Sequence, residues 1–286
     1  MAVTIKNLMR IMELRAQGLL PPGSAIIELG AQQVRCQDSE EVVRQFIAYF
    51  DSAASYSRKQ IARFADGGYF GELLTACGFD YRSIDLIKGY NTVLLDLNIH
   101  TLPEELHGRF DLVTNFGTTE HLINQLLAMK TVHDATKPGG AIYHDLPMSG
   151  YLQHGYFLYT PVFFNDLAAA NEYRVVQQHY SRAAAPVTAP EFMRENGYTE
   201  PVFTDFGIEF VLQKSSDAAF RMPLDPTTNL SIDRAVWNVG AGDSTYSSRQ
   251  ATALDRVSGR ELQRALLDRY RQKLNQWLKR RSGPSG

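Results

Sequence analysis

Apolar residues in this chain fall into two alternating kinds of run. The first kind is short and unbroken. Ala25-Ile26-Ile27-Glu28-Leu29 leads into Gly30 and Ala31, with Pro21, Pro22 and Gly23 marking a turn before it. A run without polar alternation predicts a strand covered on both faces. The pattern returns at Tyr81–Leu86, Thr92–Asn98, Phe110–Gly117 and Ala141–Asp145, and again at Tyr173–Tyr180 and Gly207–Lys214. The second kind has helical spacing. Ile5, Leu8, Met9, Ile11, Met12 and Leu14 predict an N-terminal helix within residues 1–20. Val43, Phe46, Ile47 and Phe50 predict another after the acidic start Asp38-Ser39-Glu40-Glu41, and Phe70, Leu73, Leu74 and Cys77 a third ending at Gly78. Leu262, Leu266, Tyr270 and Leu274 predict a C-terminal helix over 259–281, where a dimer contact is the alternative to a solvated face. Strands alternating with helices predict an α/β fold with a mostly parallel sheet.

Composition narrows the function classes. The chain has 286 residues, 44% hydrophobic and 21% charged, with a net charge of -2. No dense basic run precedes the C-terminal helix, so a nucleic-acid partner is not expected. Met1 to Arg15 has interspersed charges and no long apolar core, so neither a secretory leader nor a membrane span is expected. Two cysteines, Cys36 and Cys77, cannot frame a disulfide scaffold and fit a reducing cytosol, which predicts a cytoplasmic location.

Polar residues gather at the C-terminal ends of the strands. Glu28-Leu29-Gly30, Asp85, Asp96-Leu97, Phe110-Asp111-Leu112-Val113 with Glu120-His121, and Lys137-Pro138-Gly139-Gly140 stand in one order along residues 21–215. In order and spacing these blocks resemble the class I S-adenosylmethionine (SAM)-dependent methyltransferases. The resemblance implies a doubly wound, seven-stranded, mostly parallel Rossmann-like sheet with its last strand antiparallel. It implies a SAM-binding domain over 21–215, a helical insertion after strand 1 at about 35–79, and a C-terminal helical extension over 216–286. Two features depart from the family. Gln32 and Val34 stand where it usually carries further glycines, and the gap from Gly30 to Asp85 is longer than a usual βα unit.

Carried over residue by residue, the resemblance implies that Asp85 receives the ribose hydroxyls of SAM through charge-assisted hydrogen bonds. Asp96 and Leu97 meet the adenine, and Glu28, Gly30 and Ala31 meet the methionine part. Asn115, Phe116 and Gly117 form the floor beneath the sulfonium. The expected reaction is methyl transfer to a small-molecule acceptor at oxygen or nitrogen. It needs alignment above all, and a base where the nucleophile carries a proton. His121 is the first candidate base, because imidazole titrates near neutrality, with His144 and His154 as alternatives. Tyr151, Tyr156 and Tyr159 belong to an aromatic segment after the fifth strand that suits a flat acceptor. The spacing of His121, His144, Asp145 and His154 matches no metal signature, so no metal is expected. Two rival readings are a catalytically inactive methyltransferase-like binding protein and a nicotinamide-dependent oxidoreductase. The second expects a Gly-x-Gly-x-x-Gly turn, which Glu28 to Val34 does not supply.

Overall fold

The short apolar runs pair into a single sheet of seven strands. The structure is a computed structural model that describes residues 2–36, 40–182 and 205–223. Its sheet contains β1 (Ala25–Leu29), β4 (Asp80–Asp85), β5 (Thr92–Leu94), β6 (Phe110–Phe116), β7 (Thr136–Ser149), β8 (Arg174–Arg182) and β9 (Phe206–Gln213). The spatial order is β5-β4-β1-β6-β7-β9-β8. Neighbours are parallel except β9, which runs antiparallel to both β7 and β8. This is the seven-stranded, mostly parallel, doubly wound arrangement expected from the sequence.

Alternation along each strand divides the core between the two faces. Ile26, Leu112, Tyr143 and Val211 face one layer, made by α1 (Ile5–Ala16), α2 (Glu40–Phe50), α3 (Arg58–Ala65) and α4 (Phe70–Ala76). Ile27, Val113, Ile142 and Phe210 face the other, made by α5 (Gln125–Ala135) and α6 (Pro161–Ala170). All of β6 is buried, which explains why Phe110–Phe116 reads as a run without alternation. On the second face Phe164 stacks on Phe210 with centroids 4.8 Å apart.

Three details differ from the expectation. The long gap after β1 holds the expected helices, but also a two-stranded antiparallel sheet of β2 (Gln33–Arg35) and β3 (Asp66–Tyr69). Gln32 and Val34 therefore lie where the chain passes into a strand. Val34 is buried and bridges Val3, so this path has no need of further glycines. The third strand is short, because the chain bends at Asp96, whose carboxylate takes the Asn98 N–H at 2.8 Å and whose carbonyl takes the His100 N–H at 2.8 Å. The third is α6, which starts inside the expected aromatic segment. Thr160 caps it by accepting from the Phe163 N–H, and Pro161 begins it. The predicted helix at 259–281 lies outside the described residues, as does most of the predicted extension over 216–286.

Helix α1 is tied to the sheet through charge. Asp145 and Glu209 lie opposite each other on β7 and β9, both buried. Like charges so placed repel. Lys6 offsets this, with its ammonium 2.9 Å from Asp145 Oδ1 and 3.4 Å from Glu209 Oε1. Asn7 adds a donor to Asp145 Oδ2 at 2.7 Å, and Tyr143 donates to Glu209 at 2.7 Å.

Candidate active site

The C-terminal ends of β1, β4 and β6 converge, and the residues there are set by backbone first. Gly30 has φ +77°, and a side chain there would bring its Cβ to 2.5 Å from Thr118 Oγ1 and 2.8 Å from Gln32 Nε2. Thr118, in the loop after β6, donates its hydroxyl to Leu29 O at 2.6 Å, joining that loop to the β1 turn. Asp85 accepts the Ala31 N–H at 2.9 Å on one oxygen and the Ile87 N–H at 3.1 Å on the other. Its carboxylate is thus fixed against the Gly30 turn, with further lone pairs available. Glu28 is wholly buried in β1. Its Oε2 accepts from Tyr81 Oη and from the Gln32 N–H, while Oε1 has no partner among the described residues. Burial pushes this carboxyl from 4.5 up to about 8, against the pull of the Tyr81 and Gln32 donors.

Asp96 spends its carboxylate on the local bend, and Leu97 is buried beside Ile84 and Val93 in the core of the second face. The adjacent Asn98 ties this bend to the loop after β6, because its Oδ1 accepts from the Ile123 and Asn124 N–H groups. Gly117 has φ +70° and donates to Asp145 O. Phe116 points into the first core, edge-on to Tyr143 at 4.7 Å, so only its backbone reaches the rim. Asn115 is buried and organises the loop, donating to Thr119 Oγ1 at 2.8 Å and to His144 Nδ1 at 3.0 Å.

The three candidate histidines divide. His144 is wholly buried, held by Asn115 and packed on Phe164 at 5.0 Å. Its Nδ1 accepts from an amide, so the ring proton sits on Nε2, and burial alone drives its pKa to about 3. Its Nε2 meets no acceptor among the described residues, and the ring is packed against Phe164. His121 and His154 come together instead, with ring centroids 4.8 Å apart. Between them lies Glu120, whose Oε1 is 3.2 Å from His154 Nε2 and 3.8 Å from His121 Nε2. Burial pushes the Glu120 carboxyl up and both imidazoles down. The Tyr156 and Phe157 N–H groups both donate to Glu120 O, which fastens the aromatic segment over the β6 loop.

The tyrosines divide too. Tyr159 is buried, donates its hydroxyl to Gln125 Oε1 and accepts from the Thr119 hydroxyl, so it braces the β6 loop from behind and does not face an open site. Tyr151, at φ +47°, sits beside His154 at 5.5 Å, and Tyr156 is exposed. Glu120, Thr118, Thr119 and Asn98 were not among the site residues expected from the sequence. The Glu120-His121 block was visible, but its contact with His154 spans 34 positions and has no local spacing signal.

A turn closed to any Cβ and a buried carboxylate oxygen without a donor fit a ligand that combines positive charge with hydroxyl groups, and so does an acid anchored on backbone. Residues 65–185 match a family model described as a methyltransferase domain. No curated protein matches the chain. Among solved structures, the chain is similar to 1,6-didemethyltoxoflavin-N1-methyltransferase of Burkholderia thailandensis, with bound 1,6-didemethyltoxoflavin and S-adenosylhomocysteine. That likeness is at 12% identity and TM-score 0.41, covering 74% of this chain and 78% of that one. It is also similar to a SAM-dependent methyltransferase of Mesorhizobium loti, at 16% identity and TM-score 0.31, covering 71% and 99%. The likeness to a methyltransferase domain thus covers residues 65–185, less than half of the chain. No helix among the described residues is long and apolar enough to cross a membrane.

Proposed function

We propose that this chain methylates a small-molecule acceptor at oxygen or nitrogen, with the acceptor seated against Glu120, His121 and His154. The bound cofactor supplies an electrophilic methyl group on a sulfonium. The rest of the chemistry falls to residues of the chain. Asp85, already fixed by two backbone N–H groups, has lone pairs left for a ribose diol. The buried Oε1 of Glu28 is matched by a ligand ammonium. His121, which is the more exposed imidazole of the pair, takes the acceptor's proton, and Glu120 steadies the resulting imidazolium. Tyr151 and Tyr156 offer ring faces to the acceptor.

One observation carries this reading. An acid and two imidazoles from loops 34 residues apart meet beside a loop that Thr118 ties to the Gly30 turn. The test combines calorimetry with SAM and turnover on a panel of phenols, carboxylates and amines, using labelled SAM. His121→Ala should lower turnover at least about a hundredfold, within the range for general acid–base catalysis, while SAM affinity stays within about twofold. Wild-type turnover in His121→Ala would remove the base assignment. Absence of SAM binding by the intact chain would favour the inactive binding-protein reading.

A further inference from the structure

The Glu120 cluster carries more than an acceptor's proton demands. A carboxylate oxygen of Glu120 and one nitrogen each of His121 and His154 all lie within 4.8 Å of one another. Glu120 is wholly buried, and its second oxygen, Oε2, has no hydrogen-bond partner among the described residues. Buried carboxylates normally collect hydrogen-bond donors on both oxygens, and even half-buried Asp85 does so. Among the described residues no lysine or arginine pairs with Glu120, and its ion-pair partners are the two histidines. The cluster is therefore rich in lone pairs.

Its backbone is built for close approach. A Cβ on Gly155 would stand 2.7 Å from Glu120 Cγ and 2.9 Å from Glu120 O, so only glycine lets the His154 loop close on Glu120. The Tyr156 and Phe157 N–H groups then hold it there. Both imidazoles keep an exposed side, His121 44% and His154 29%, which leaves room for a further ligand.

From these observations we propose that Glu120, His121 and His154 form a binding site for a divalent transition-metal cation of the zinc class. Two imidazoles and one carboxylate with open positions are the donor set that such cations take. This proposal rests on the preceding reading only for the place of the acceptor. With the cation bound, both imidazoles are ligands, and an acceptor oxygen at an open position is held and acidified by the metal. With its pKa lowered by the cation, the acceptor O–H loses its proton to solvent, so no free imidazole base is needed.

The test uses the full, tag-free chain after dialysis against a chelator. Zn²⁺ is titrated by calorimetry and Co²⁺ by visible absorption, with Mg²⁺ as the hard-cation control. The expected result is saturable binding of one equivalent of Zn²⁺, with Co²⁺ bands typical of nitrogen and oxygen ligation. His154→Ala and His121→Ala should each weaken it by at least about tenfold, the scale on which even outer-sphere changes act. His179→Ala should leave it unchanged. Because His121 is exposed, its variant keeps the test informative if changes at Glu120 or His154 disturb folding. Lack of saturable Zn²⁺ binding, or binding that survives both histidine changes, would overturn the proposal. SAM affinity is measured on the same samples. SAM binding without cation binding sinks the metal site alone, and cation binding without SAM binding sinks the methyl-transfer reading alone.

Discussion

Glu28→Gln should make the protein markedly more stable than wild type at alkaline pH and change it little at acid pH. Glutamine imitates the protonated acid, keeping an oxygen for the Tyr81 hydroxyl and the Gln32 N–H. The folded-state pKa of Glu28 is raised from 4.5 to about 8, chiefly because the side chain is wholly buried. A raised pKa means that the folded chain holds its proton more tightly than the unfolded chain does. The stability this adds is fully present below about pH 4.5 and is lost as pH climbs through about 8. At about 1.4 kcal/mol per unit of pKa difference, the whole effect is about 4–5 kcal/mol, and about 4 kcal/mol of it falls between pH 5 and 9. For a chain of this size that corresponds to a Tm difference of about 10 °C. Thermal and urea melts of both proteins across this range give the answer, because every other titrating group is shared and cancels in the comparison. Wild type should fall away from Glu28→Gln as pH rises. Curves that stay parallel from pH 5 to 9 would refute the claim that Glu28 is neutral in the folded protein.

The other predictions concern the same rim and the core beneath it. Gly30→Ala should cost about 1–3 kcal/mol, because it forces a side chain into positive φ and against Thr118. It should also abolish SAM binding by calorimetry, and retained affinity would show that the turn is not the cradle. Asp85→Ala should weaken SAM binding at least about tenfold by removing charge-assisted acceptors, and Asp85→Asn should weaken it less if anchoring of Ala31 contributes. Phe164→Ala, which empties a fully buried ring site stacked on Phe210, should cost about 3–5 kcal/mol in urea melts. A loss under about 1 kcal/mol would mean that the second face is not packed as described.

Much of the sheet was legible because its signals are local. Runs such as Phe110–Phe116 need only their own residues to declare burial on both faces, but boundaries were less legible: the strand expected over 141–145 runs Thr136–Ser149, and the one expected over 92–98 ends at Leu94. The β2–β3 pair was not legible. Gln33–Arg35 is three residues long and gains its pairing from Asp66–Tyr69 and its bridge from Val3, none of which leaves a period in the sequence. The rim positions of Asp85 and Gly30 could be read from the sequence, since both stand at the ends of strands. His144 could not be told from His121 in that way, since a strand end gives no indication of which face its side chain takes. Residue 144 turns to the α6 side and is sealed by Phe164. Tyr159 shows the same limit, because its hydroxyl was spoken for by Thr119 and Gln125.

The two halves of the rim thus differ in how they are encoded. The β1 and β4 side is set by one glycine and by acids that bond to nearby backbone, so it can be read residue by residue. The β6 and β7 side exists only where Gly155 lets a second loop close on Glu120. Both halves bury a carboxyl group with one oxygen that has no hydrogen-bond partner among the described residues, Glu28 Oε1 and Glu120 Oε2. Each such atom forfeits about 1–3 kcal/mol of hydrogen bonding in the free protein. Packing alone gives no reason to keep both, Glu28 in β1 and Glu120 in the loop after β6, since an amide or an apolar group would fill either place at lower cost. Positive charge supplied from outside the chain offsets that loss. In the proposed reading a sulfonium donor carrying an ammonium group would provide it on one side, and a divalent cation on the other.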